Sequence, residues 1–179
     1  MSNTVDTKAG VRSGQQYLKG LVDEREVWFR GERVLNVTDH QCFSRGARTL
    51  ASLIDKQCDE EYRDIVTYKE NDNRYGMAFK IPSSGEDIVK RGQSFYQWAL
   101  WSNGMFGRTP DYKNASVTAF AASSSFLEAG KKEYGLNMVR YYNYVKDNDK
   151  VLTHTLVNPT YSHSQAISGK YDEHVALHV

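Results

Sequence analysis

The chain has 179 residues, 40% of them hydrophobic and 25% charged, with 23 basic against 22 acidic side chains and a formal net charge of +1. That supplies one apolar core without disulfides or metal. It excludes a disordered chain and the strongly basic surface that gathers nucleic acid or anionic lipid. The apolar runs fall far short of the roughly 20 residues a membrane-spanning helix needs. Residues 1–10 are polar and carry no secretory signal, so a cytoplasmic protein is expected. Twelve Tyr, seven Phe and three Trp are the unusual feature. They make either a tyrosine-rich core and surface or a site built from large amphipathic rings. Cys42 and Cys58 form no CxxC pair and read as free thiols in a reducing compartment.

In chain order, residues 1–11 are expected as a flexible arm. Residues 13–21 predict a short helix capped by Ser13, with Tyr17, Leu18 and Leu21 on one face. Two β-prone runs on either side of Gly31-Glu32 predict a hairpin. A helix is predicted over 43–56, with Phe43, Ala47, Leu50, Ala51 and Ile54 as its apolar face. Strands are predicted over 65–68 and 75–81, around a polar turn at 70–74. Ser84 is a good cap for a helix over 85–100, with Ile88, Gly92, Phe95 and Ala99 inward and Tyr96 beside them. Residues 111–127 are rich in Ala and Ser, which suits close helix packing, with Val117, Phe120, Ala121 and Phe126 as the larger members. Another helix is predicted over 136–146, then an extended segment or tight loop over 151–159, then a polar loop over 160–172.

The last run, 175–179, is apolar and β-prone. A strand made there has no later partner and must pair with an older one. It reads either as the start of a further domain or as an edge strand.

No Walker loop, GxGxxG, HExxH or GxSxG occurs. The five histidines form no tight metal spacing, His174 and His178 included, and paired acids such as Glu60-Glu61 read as solvated surface. Two segments carry more chemistry. In Gly107-Arg108-Thr109-Pro110-Asp111-Tyr112, Pro110 fixes its own φ and pushes Thr109 out of the helical region. Asp111 then stands where it would cap a helix, and Arg108 and Tyr112 present a cation and a phenol from one rigid corner. Such a corner suits a carboxylate or phenolate ligand. The competing reading pairs Arg108 with a local acid and packs Tyr112. In residues 152–159 (LTHTLVNP), hydroxyls, an amide and the His154 ring nitrogen would orient a polar heterocycle. The plain alternative is a structural histidine.

These segments resemble the large oxygenase component of the 4-hydroxyphenylacetate 3-hydroxylase family. The likeness is carried by residues 13–18 (SGQQYL), 34–40 (VLNVTDH), 104–114 (GMFGRTPDYKN), 140–145 (RYYNYV) with Asn148-Asp149, 152–159 (LTHTLVNP) and Val175-Ala176-Leu177. It covers the chain from about residue 12, and the family chain is nearly three times as long. The resemblance implies a mainly α chain with small β elements: an acyl-CoA dehydrogenase-like N-terminal helical domain over 12–159. Residues 160–179 would be a linker and first strand, truncated at the start of the middle β-barrel. The family assembles as a homotetramer through its C-terminal portion.

The implied activity is ortho-hydroxylation of a phenol such as 4-hydroxyphenylacetate by a two-component monooxygenase. A separate NADH-dependent flavin reductase supplies its reduced FAD. Carried over by motif, Arg108, Tyr112 and His154 line the phenol site. Thr155, Leu156, Val157 and Asn158 border the flavin, with Thr155 and Asn158 as polar contacts. Past Pro159 the family continues Gln-x-Asp-Arg-Ser, whereas this chain has Thr160-Tyr161-Ser162-His163-Ser164; no flavin contact is carried over beyond Asn158. The related 4-hydroxybutyryl-CoA dehydratase branch uses cysteines for an iron-sulfur cluster. Neither Cys42 nor Cys58 lies near Met105 or Arg108, which argues against that branch. The rival to a catalytic role is a non-catalytic remnant or interaction domain of the same family.

Overall fold

The computed structural model describes residues 9–104 and 110–153, with backbone only at 110 and 111. Helix α1 (Gly14–Lys19) opens on Ser13, whose hydroxyl accepts from the Gln16 amide while the Gln16 side chain accepts from the Ser13 amide. This reciprocal box satisfies two amides left open at a helix start. Gly14 lies where an added Cβ would fall 2.2 Å from the Ala51 carbonyl oxygen. Lacking that carbon, it lets α1 sit against α2 (Ser44–Asp55), and its amide donates to Asp55 at 2.7 Å. Ahead of α1, the Gly10 amide donates to the Asp147 carbonyl and Val11 to that of Arg74. The chain is therefore tied down within the stretch assigned to the arm.

The hairpin pairs β1 (Val27–Phe29) with β2 (Glu32–Val34). Its turn is Arg30-Gly31, with φ of 52° and 83°, and not Gly31-Glu32 as expected. A two-residue turn matched to strand twist needs positive φ at both positions, so Glu32 is left in the strand. In α2 the buried residues are Ala51, Leu53 and Ile54, which adds Leu53 to the expected face. Cys42 and Cys58 flank this helix, exposed and free.

The predicted strand over 65–68 divides. Arg63–Val66 is a helical turn, α3, and the strand β3 is Thr67–Glu70. The strand predicted over 75–81 likewise becomes β4 (Asn73–Gly76) followed by a 3-10 turn, Met77–Phe79. The antiparallel pair sets Thr67 opposite Gly76 and Glu70 opposite Asn73. Short apolar runs do not tell a strand from a buried turn by periodicity, and here all three turn residues are buried. They form the floor of the main core.

Helix α4 (Gly85–Trp101) starts where expected, with Ser84 accepting from the Asp87 amide at 3.2 Å. Its inward face is not the expected one. Ile88 and Tyr96 are 62% and 66% exposed, while Ser94 and Trp98 are buried. The helix carries two apolar stripes at helical spacing. The stripe with Trp98 and Trp101 wins because Trp98 packs on Leu53 and Val66 and meets Trp101 edge-on at 5.3 Å. Ser94 is fully enclosed.

The Ala/Ser-rich stretch is two helices, α5 (Pro110–Ala122) and α6 (Ser124–Glu128). Of its larger members Ala121 is buried, whereas Phe120 and Phe126 are exposed. Helix α7 (Lys132–Asp147) begins four residues earlier than expected. Gly135 sits against α6, where a Cβ would meet the Ser124 carbonyl oxygen at 2.7 Å. The main core joins Phe79, Ala121, Tyr142 and Val145, with Tyr68, Val117, Met138 and Leu152 packed against it. Among the described residues no helix is long and apolar enough to cross a membrane, and no cluster of His, Cys, Asp and Glu would hold a metal.

Candidate functional site

Both segments of interest leave a helix through the same device. At the end of α4, Asn103 and Gly104 have φ of 50° and 68°. Gly104 donates to the Ala99 carbonyl at 2.8 Å and Asn103 to that of Leu100 at 3.2 Å. At the end of α7, Asp149 has φ of 44°. There Lys150 donates to the Val145 carbonyl at 3.0 Å and Asp149 to that of Lys146 at 3.2 Å. Each pair of bonds is a Schellman closure, with a left-handed residue turning the chain off the helix axis. Asn and Asp tolerate that conformation because their short polar side chains bond locally. The Asn103-Gly104 and Asn148-Asp149 pairs were the readable signal for these exits.

Asp149 does more than turn the chain. It is buried, and one of its oxygens accepts from the Arg12 amide at 3.2 Å and from Gln57 Nε2 at 2.9 Å. Burial pushes its carboxyl above the ordinary carboxylate value, against the pull of those donors and the Arg12 charge. Asp149 thus ties the start of α1, the end of α2 and the exit of α7 into one knot, from which residues 150–153 set out.

Helix α5 begins at Pro110, so Asp111 lies within the first turn and not at the cap, as expected from the motif. Proline is favoured at a first helical position, where its missing amide costs nothing. Two residues beyond Tyr112 comes the residue that joins the two segments. Asn114 is 1% exposed, and its Nδ2 donates to the Lys150 carbonyl at 3.2 Å. One turn further on, the single Thr118 hydroxyl proton is shared between the Asn114 carbonyl at 2.8 Å and the Ala78 carbonyl at 3.0 Å. Leu152 and Val117 pack on the same core cluster. The start of α5 and the segment entering the histidine loop therefore lie side by side. Tyr112 is half-exposed, with Lys113 Nζ 5.1 Å from its ring centre. A cleft of about 430 Å³ borders the same segment, with Arg12, Tyr17, Leu50, Leu152 and Thr153 in its walls.

Arg108, His154, Thr155, Leu156, Val157 and Asn158 lie outside the described residues, so of the expected site only Tyr112 is placed directly. Beneath, Tyr142 donates to the Phe79 carbonyl at 2.7 Å and Tyr68 to the same oxygen at 3.5 Å. Burial raises both phenols above their ordinary value, Tyr68 much further with Tyr142 adding to it. They stay protonated as donors and brace the 3-10 turn on which α5 rests.

The family model described as 4-hydroxyphenylacetate 3-hydroxylase N terminal matches residues 13–179. The chain belongs to that family. The oxygenase component of 4-hydroxyphenylacetate 3-monooxygenase from Thermus thermophilus is 39% identical over 169 residues, covering 94% of this chain and 34% of the relative. The oxygenase component of 4-nitrophenol 2-monooxygenase from a Rhodococcus species is 32% identical, over 87% of this chain and 31% of its own length. Among solved structures, the oxygenase component of 4-hydroxyphenylacetate 3-monooxygenase complexed with FAD and 4-hydroxyphenylacetate superposes with a TM-score of 0.79 at 40% identity, covering 88% of this chain and 33% of that one. An archaeal 4-hydroxybutyryl-CoA dehydratase from N. maritimus superposes at 0.66 with 16% identity, which shows a shared mainly helical fold. The chain spans about a third of the length of the relatives it matches.

Proposed function

We propose that this chain is the N-terminal third of an FAD-dependent monooxygenase that hydroxylates 4-hydroxyphenylacetate or a similar phenol beside its hydroxyl. The supporting observation is the Asn114 bond to the Lys150 carbonyl. It sets the start of α5 beside the chain leaving α7 at Lys150, which supports reading the two motifs as parts of one site. In this reading residues 12–159 form the helical domain, of acyl-CoA dehydrogenase type. Residues 160–179 lead into a β-barrel that the remaining two thirds of a full-length relative would supply, along with the homotetramer contacts. A separate reductase provides reduced FAD in the cytoplasm.

The donor set fits this chemistry. A guanidinium, an imidazole and a phenol offer the donors and the base that a phenolic substrate needs. The Thr155 hydroxyl and Asn158 amide fit the polar edge of a flavin. Among the described residues the Oδ1 of Asn114 has no partner, which leaves a polar atom at the join between the segments. FAD, when bound, supplies the activated oxygen. The chain's own residues orient the ring and hold its proton. Arg108 favours the phenolate electrostatically, and His154 accepts the proton from the phenolic oxygen. The deprotonated ring carries more electron density at the ortho carbon, where hydroxylation occurs. The Pro110 corner and the core-packed Leu152 keep the two halves in place.

The test combines the chain with a polypeptide covering the rest of the relative's length, reduced FAD, O₂ and 4-hydroxyphenylacetate, and measures catechol. Product is expected, and the Arg108→Ala, His154→Ala double variant should abolish it. Undiminished product from the double variant would overturn the site. The alternative reading is a remnant or interaction domain of the same family without catalysis. Equilibrium dialysis of the chain together with the remaining polypeptide against reduced FAD separates the two, since a remnant retains no flavin even then.

A further inference from the structure

We infer that Asn114 is a positioning residue, whose buried amide fixes residues 150–153 against the start of α5 and so sets the spacing between Tyr112 and the chain leaving α7. The inference rests on the phenol-site reading above and assigns a role to a residue outside the expected site. Asn114 stands two positions after Tyr112, and its partner carbonyl stands four before His154. Its own backbone is held by Thr118, which anchors it in turn to the Ala78 carbonyl of the 3-10 turn. The tie therefore runs from the core floor through α5 to the loop. Asn114 is almost fully enclosed, yet among the described residues its Oδ1 has no hydrogen-bond partner. An enclosed amide oxygen without a donor costs free energy. Leucine, of similar volume, carries no such penalty, so packing alone is served at least as well without the amide. What leucine cannot supply is the N–H that grips the Lys150 carbonyl. Stability and positioning should separate at this residue.

The experiment uses the 179-residue chain with Cys42→Ser and Cys58→Ser, spin-labelled at Ala119→Cys on α5 and Thr153→Cys, both exposed positions. It compares Asn114 with Asn114→Leu and with the smaller Asn114→Ala. The Leu variant should melt within about 4 °C of the parent, while the distance distribution between the labels broadens. In the complemented protein with reduced FAD, its affinity for 4-hydroxyphenylacetate should fall at least about tenfold, because small misplacements of a binding group are costly. An unchanged distance distribution with unchanged affinity overturns the inference. So does a collapse of the fold in both variants, which would give Asn114 a purely structural role. If the parent itself fails to bind the phenol, the functional reading fails, and the label distances alone still decide the role of Asn114.

Discussion

Replacing Asp149 tests how the exit from α7 is built, because its backbone and its side chain carry separable costs. The carboxylate accepts two hydrogen bonds, from Arg12 N and Gln57 Nε2, each worth about 1.5–3 kcal/mol to a charged acceptor. Against this stands the desolvation of a buried charge, on the order of several kcal/mol. The net cost of Asp149→Ala from the side chain is then about 2–3 kcal/mol. Alanine also meets the left-handed backbone at φ of 44°, which adds about 1 kcal/mol. Asp149→Gly loses the same bonds without that strain, so it should unfold about 1 kcal/mol later than the alanine variant. Asp149→Asn keeps an acceptor and suits the backbone, and should fall within about 1 kcal/mol of the parent. Urea unfolding followed by circular dichroism gives all three differences. Equal losses for Ala and Gly would refute the backbone argument, and an Asn variant as weak as Ala would refute the side-chain argument. The sign with pH follows from the raised carboxyl. The folded state holds its proton above the pH where the unfolded chain has lost it, so stability falls as pH rises from the ordinary value of 3.8 toward the folded one. The parent minus Asn difference should show that fall and then level off; a rise across the same window would contradict the burial of the charge.

Trp98→Ala should cost about 3–5 kcal/mol and Tyr96→Ala less than about 0.5 kcal/mol, since the first is enclosed and the second exposed. Matching losses in chemical unfolding would show that α4 is turned the other way. Gly14→Ala should cost about 1–3 kcal/mol, because its Cβ meets the Ala51 backbone; a neutral melting curve would mean that α1 does not press on α2. Tyr142→Phe should cost about 1 kcal/mol through its bond to the Phe79 carbonyl. A loss below about 0.3 kcal/mol would show that Tyr68 alone satisfies that oxygen.

Much of the site was legible as chemistry in one dimension. The proline corner, the histidine between threonines and the Ser13 and Ser84 caps are local features, since neighbouring atoms along the chain determine them. Family membership was legible for the same reason, through residue types at set intervals. The α4 face was not legible, because two apolar stripes satisfy the same periodicity and only the Leu53 and Val66 surface chooses between them. Nor was the division of 65–68 and 75–81 into turn and strand, where burial of Val66 against α2 and α4 and of Phe79 against α5 and α7 overrides β propensity.

The sequence by itself determined the helix starts at Ser13 and Ser84, the residue types of the two candidate motifs and their membership in one family pattern. Only the tertiary structure decided that Asn114 would meet the Lys150 carbonyl, 36 positions away, and that Asp149 would knot three elements together. A hydrogen bond across that separation depends on how α5 and α7 lie over the Phe79 turn. That arrangement is set by the packing of Ala121, Tyr142 and Val145 together, and no short stretch of chain contains it.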